Sequence, residues 1–220
     1  MHNMENRGIL IVLEGVDNIG KTATRDKLIS RFEAEGIPAE GMEFPYRGFM
    51  FLRKTSKDKR ATHYERFLSH CLSHSMTYPL IEEALEDGKI VILDRYWYSN
   101  LAYAPTFAGI PYDYVKDLEG VKLQPLIPDM VIYLHSSGIY PKFHKQAQIK
   151  SDKDDAFDDA SKRLRGQLIR AYEYVCKEEW EGREELAFLR HNVDAYKDLE
   201  SSVTELENYI QGEFVLPRFP

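Results

Sequence analysis

The sequence predicts an α/β fold, a five-stranded, mainly parallel sheet with helices on both faces. Continuous apolar runs at residues 8–13, 89–93 and 130–134 read as short strands buried on both sides. Segments long enough for helices alternate with them, as βαβ units require. A glycine-bearing turn joins the first run to the first helix, which places it at the carboxyl end of a strand, where such sheets bind ligands.

Taken in order, the first strand at 8–13 leads through the turn to a helix over 21–35, with Leu28, Ile29 and Phe32 on one side and Gly36 and Pro38 as its stop. A short second strand is expected near 42–44, ended by Pro45, which cannot donate within a central ladder. Residues 62–87 read as a long helix, bent near Pro79 and stopped at Gly88. The third strand follows at 89–93, then a short helix over 99–107 limited by Pro105. Pro128 precedes the fourth strand at 130–134. A polar stretch at 136–155 separates it from a helix near 157–178, a fifth strand at 186–189 and a closing helix over 199–210.

The chain has 220 residues, 43% of them hydrophobic, enough for one domain spanning 1–220, and no linker or repeat divides it. A formal charge of -7 argues against a nucleic-acid binder. No apolar run is long enough to span a bilayer, and the polar opening MHNMENRG lacks a signal-peptide core. Two cysteines, Cys71 and Cys176, read as reduced thiols, so a cytoplasmic protein is expected.

The run GVDNIGKT, Gly15 to Thr22, matches G-x-x-x-x-G-K-[ST] between a buried strand and a helix. Glycines let successive N–H groups curl towards a phosphate, and the helix N-terminus adds positive dipole. Lys21 can bridge the outer phosphates of ATP and the Thr22 hydroxyl can ligate Mg²⁺. An N-K-x-D guanine reader is absent, and the chain is short for a motor ATPase, so a small phosphotransferase remains. Asp94, closing the third strand, can hold a metal-bound water or cap the following turn.

LEGVDNIGKT, Phe44-Pro45-Tyr46-Arg47 and Leu93-Asp94-Arg95-Tyr96 together resemble the thymidylate kinase family in order and spacing, and Leu80 to Tyr96 is especially similar. Weaker matches are Ser99 to Tyr103, Pro128 to Val131 and Val193 to Ala195. The resemblance implies transfer of the ATP γ-phosphate to thymidylate with Mg²⁺, and by analogy a helix-mediated homodimer. It implies that Gly15, Asn18, Ile19, Gly20, Lys21, Thr22 and Ala195 bind ATP, and that Thr22 and Asp94 serve the metal. Lys21, Arg47 and Arg95 would be catalytic, the two arginines gripping the acceptor phosphate with planar forks. Asp17 would face the sugar 3′-hydroxyl or the metal. Asn100 and Tyr103 would bind the acceptor, and Phe44 would lie against its sugar or base or simply fill the core.

The sequence departs from the family pattern in three places, one of them the acidic stretch 152–159, which stands where the family's lid contacts the nucleoside. The family's long helix presents an aromatic that stacks on thymine and, four residues on, an arginine that bonds its carbonyl; His70 and His74 stand at these positions. Residues i and i+4 share a helix face. A neutral imidazole can stack and can donate one hydrogen bond, although two ordinary surface or core histidines would look the same. The expected lid at 136–155 has no arginine; Lys142, His144, Lys145, Lys150 and Lys153 are its candidates for closing over ATP, and Arg163 or Arg165 on the next helix for reaching inward. A deoxynucleoside kinase, a kinase for dUMP or a 5-modified dUMP, and a non-catalytic nucleotide switch are the alternatives.

Overall fold

The computed structural model describes residues 7–138, 162–214 and 216. Five strands, β1 (Ile9–Glu14), β2 (Ala39–Glu43), β3 (Ile90–Asp94), β4 (Met130–His135) and β5 (Ala187–Asn192), form one sheet in the order β2-β3-β1-β4-β5. All four pairings are parallel. The central strand β1 is buried along its whole length, as its unbroken apolar run requires. Registers Leu13↔Asp94 and Glu43↔Asp94 bring the carboxyl ends of β1, β2 and β3 to one edge, so Glu14, Glu43 and Asp94 gather there.

The helices are α1 (Lys21–Ala34), α2 (Met50–Lys57), α3 (His63–Glu86), α4 (Trp97–Tyr103), α5 (Tyr112–Val115), α6 (Lys162–Val175) and α7 (Leu199–Glu213). Helix α3 starts with a capping box. Thr62 Oγ1 accepts from the Glu65 amide at 3.2 Å, and the Glu65 carboxylate accepts from the Thr62 amide at 2.7 Å. No helix among the described residues is long and apolar enough to cross a membrane.

The structure differs from the sequence-based expectation in several elements. Strand β2 runs over Ala39–Glu43 and leaves Phe44 beyond its end. Its sequence, AEGME, has no apolar run because an edge strand buries less of itself, and its extent is set by pairing with β3. The helix expected over 99–107 begins at Trp97 and gives way to a wider π-helical turn over Ala104–Ala108 that contains Pro105. Helix α2, helix α5 and a π-helical segment over Lys116–Lys122 had no counterpart in the sequence reading.

Candidate active site

The phosphate loop is shaped by backbone angles that favour glycine. Gly15 has φ 143°, and a Cβ there would stand 2.4 Å from the Leu134 carbonyl oxygen. Gly20 has φ 104° at the N-cap of α1, and Asn18 has φ 59°. The Ile19 side chain is buried in the core, so it is the backbone of Ile19 that belongs to the loop's ligand face. Lys21 opens α1, and its Nζ donates to the carbonyls of Gly15 at 3.0 Å and Val16 at 2.8 Å. Burial, and then Arg95, push this amine down to about 8 against the pull of Asp94, Asp17 and Glu14. A triphosphate would give the lysine the negative partner that it takes from loop carbonyls here.

The Thr22 hydroxyl donates to Asp94 Oδ2. A hydroxyl and a carboxylate meeting at the mouth of the phosphate loop are the hard oxygen donors that suit Mg²⁺, which binds few protein oxygens and keeps its phosphates and waters. The pair expected from sequence is therefore brought together.

Arg95 occupies the centre of the site. It has φ 75°, a left-handed conformation that costs a non-glycine residue energy and is held by the contacts around it. Its guanidinium donates to the Gly15 carbonyl and Ser99 Oγ, both at 3.2 Å, to the Tyr172 and Tyr103 hydroxyls, both at 3.1 Å, and to the Asp17 carboxylate. The Tyr103 hydroxyl also donates to Asp17 Oδ2 at 2.7 Å. Burial alone would push the Asp17 carboxyl up; Arg95, Lys21 and Tyr103 outweigh it and hold the group below its ordinary range.

Behind Arg95 stands Glu14, fully buried. It accepts from the Tyr96 amide at 2.8 Å, Ser99 Oγ at 2.7 Å and the Tyr172 hydroxyl at 3.0 Å. Burial pushes this carboxyl up. Two groups that touch Arg95 are thus themselves fixed by Glu14, so the arginine's position depends on a network reaching from β1 to α6.

The cleft beside Arg95 is lined by Asp17, Phe44, His70, His74, Asn100 and Tyr103, among others. Phe44 lies edge-on to the His74 ring, with centroids 4.6 Å apart and planes at 73°. His70 lines the cleft, and burial pushes its imidazole down to about 3, leaving it neutral near pH 7. The i, i+4 spacing does bring the two histidines to one cleft. Arg47, by contrast, does not line it: its side chain is 70% exposed and donates to Glu43 at 2.7 Å. Glu43 also takes Arg53, which does line the cleft. Ala195 is exposed at the end of the 3-10 turn Val193–Ala195, beyond β5. That turn is tied to the end of β4 by Asp194, which accepts from Ser136 Oγ at 2.8 Å.

Helix α6 carries the expected inward arginine. Arg165 is buried and donates to the Asp17 carbonyl at 2.6 Å, over the phosphate loop, whereas Arg163 is exposed. Lys142, His144, Lys145, Lys150 and Lys153 lie outside the described residues.

The comparisons with known proteins agree with this geometry. The family model for thymidylate kinase matches residues 13–175, which hold the phosphate loop, Arg95, the cleft and α6. The chain belongs to the thymidylate kinase family. It is 33% identical over 139 residues to the thymidylate kinase of Arabidopsis thaliana, covering 61% of this chain and 51% of that one. To the human thymidylate kinase it is 33% identical over 138 residues, 58% of this chain and 61% of the other. To that of Danio rerio it is 31% identical over 132 residues, 58% and 61% respectively. The chain thus spans between half and two thirds of the length of these relatives.

Sequence reasoning missed Glu14, Ser99, Tyr172 and Arg53 as parts of this family member's site. Glu14 left a signal, as an acid ending a run that is otherwise apolar. Tyr172 left none, because tyrosines on helices are ordinary and only the fold brings this one inward.

Proposed function

We propose that this protein is an ATP-dependent thymidylate kinase that transfers the γ-phosphoryl group of ATP to dTMP. The observation that carries the reading is Arg95, which touches the phosphate loop at Gly15 and the acceptor cleft at Asp17 and Tyr103. One fixed guanidinium at the junction of a donor cradle and an acceptor cleft is placed to hold the phosphate being attacked in line with the phosphate being transferred.

In this reading the loop from Gly15 to Thr22 holds the triphosphate and Lys21 neutralises its outer oxygens. Thr22 and Asp94 would hold Mg²⁺, which when bound screens the charge of the phosphates. Arg165 closes the loop from above, supplying an arginine that the lid itself lacks. Asp17 and Tyr103 meet the sugar, Phe44 covers the acceptor's sugar or base, and His70, His74 and Asn100 meet the base. Arg47 joins Arg95 on the acceptor phosphate by exchanging Glu43 for the ligand, and Ala195 lies by the adenine. The buried, reduced Cys71 and Cys176 fit a cytoplasmic enzyme. Tyr64, Leu68 and Leu72 form an exposed apolar stripe at i, i+4 and i+8 on α3, the surface for a helix-mediated homodimer.

The test is a coupled assay of ADP formation with dTMP, dUMP, dCMP, dGMP and thymidine, with and without Mg²⁺. Turnover with dTMP that needs the metal, weaker turnover with dUMP, and none with thymidine are expected. Thymidine as the best acceptor would make the protein a deoxynucleoside kinase, and ATP binding without transfer to any of them would make it a switch.

A further inference from the structure

Glu119 is 0% exposed in the π-helical segment Lys116–Lys122, and its carboxylate serves two of the cleft-lining side chains. His74 Nδ1 lies 2.6 Å from Oε2. Asn100 Nδ2 donates to Oε1, which also accepts from Cys71 Sγ at 3.4 Å. Burial pushes the Cys71 thiol far up, so it keeps its proton and acts as a donor. The second amide hydrogen of Asn100 has Cys71 Sγ at 3.9 Å. A carboxylate oxygen that accepts from its neighbours requires the nitrogen of Asn100, not its oxygen, to face it. The amide nitrogen is therefore engaged with Glu119 and Cys71, and Oδ1 is the polar atom left for a ligand.

We propose that Glu119 is the residue that sets base specificity, holding the His74 ring and turning the Asn100 amide so that its carbonyl oxygen faces the N3–H of a 4-oxo pyrimidine. The inference rests on the monophosphate kinase reading above and deepens it. Asn100 Oδ1 accepts from the N3–H of uracil or thymine. Cytosine offers a bare N3 instead, setting acceptor against acceptor. A site whose buried polar groups are left unpaired rejects the wrong ligand far more strongly than a missing methyl group does. Glu119 touches no substrate in this arrangement; it is a positioning residue.

The experiment compares kcat/KM for dTMP and dCMP in the wild type, Glu119→Ala and Glu119→Gln, with the fold of each checked by circular dichroism. A preference for dTMP of about a hundredfold or more is expected in the wild type. Glu119→Ala is expected to reduce that ratio at least about tenfold. Glu119→Gln, whose amide oxygen can still accept from Asn100, is expected to restore most of it. Equal losses for both nucleotides in Glu119→Ala, or a Gln variant as unselective as the Ala variant, would show a merely structural role and overturn the proposal. Calorimetric titration of dTMP and dCMP into the same three proteins provides a readout without turnover. Tighter binding of dTMP than of dCMP is expected in the wild type and a smaller difference in Glu119→Ala, and an unchanged ratio of affinities overturns the proposal. If neither nucleotide is phosphorylated, the kinase reading fails, while the titration still decides whether Glu119 sets the preference.

Discussion

At the residue scale the site is a set of buried charges, each made tolerable by a specific partner. Lys21 and Arg95 differ in what they would lose. Lys21 rests on loop carbonyls and is free to exchange them for phosphate oxygens, so Lys21→Ala is expected to lower kcat by at least about a hundredfold while the protein stays folded. Arg95 is fixed by five groups, and Arg95→Ala removes a positioned charge from the acceptor; a loss of roughly 2–4 kcal/mol in kcat/KM for dTMP is expected, with ATP affinity nearly unchanged in calorimetric titration. Arg47, exposed and already engaged with Glu43, must give up that partner first, so Arg47→Ala is expected to cost less than Arg95→Ala. Equal weakening of ATP and dTMP in either arginine variant would place that side chain on the other nucleotide.

At the element scale the fold shows which features a sequence carries openly. Strands β1, β3 and β4 are buried on both faces and announce themselves as apolar runs. Helix α3 was legible to within a residue because Thr62 and Glu65 write its start and Gly88 its stop. Helix α2 was not, because only Leu52 and Ser56 are buried on it while Met50 and Phe51 are exposed, which leaves no apolar stripe. The same logic divides the site. The phosphate loop is local in sequence and was readable as a motif. The Glu119–His74 contact joins residues 45 positions apart through an irregular helical segment, and no spacing rule reaches it. The capping box offers a direct check on the element that presents the two histidines. Thr62→Ala is expected to destabilise the protein by about 1 kcal/mol in urea denaturation, with kcat nearly unchanged because α3 is held at its far end by the core. A large fall in kcat would mean that fraying reaches His70 and His74.

At the scale of the whole molecule, stability should depend on acid through a histidine remote from the cleft. His191 ends near the carboxyl edge of β5, is buried, has Ser202 Oγ of α7 at 2.7 Å from its Nε2, and stacks on Tyr196 with centroids 4.7 Å apart. Burial, and then His135, push this imidazole down from 6.5 to about 4. Between these values the unfolded chain binds a proton that the folded protein refuses, so stability rises with pH across the window. The contribution is fully present above 6.5 and is lost as pH falls towards 4. From pH 6.5 to 5 this amounts to about 2 kcal/mol, from 1.36 kcal/mol per unit. His70, whose imidazole is also pushed down by burial, adds a slope of the same sign, so one substitution removes part of the dependence. His191→Gln keeps a group able to hydrogen-bond Ser202 but carries no titrating proton. Its melting temperature is therefore expected to fall less between pH 7 and pH 5 than that of the wild type, even if it is lower at pH 7. Parallel acid limbs in the two proteins would mean that the β5–α7 junction opens to water, and that His191 titrates there as it does in the unfolded chain.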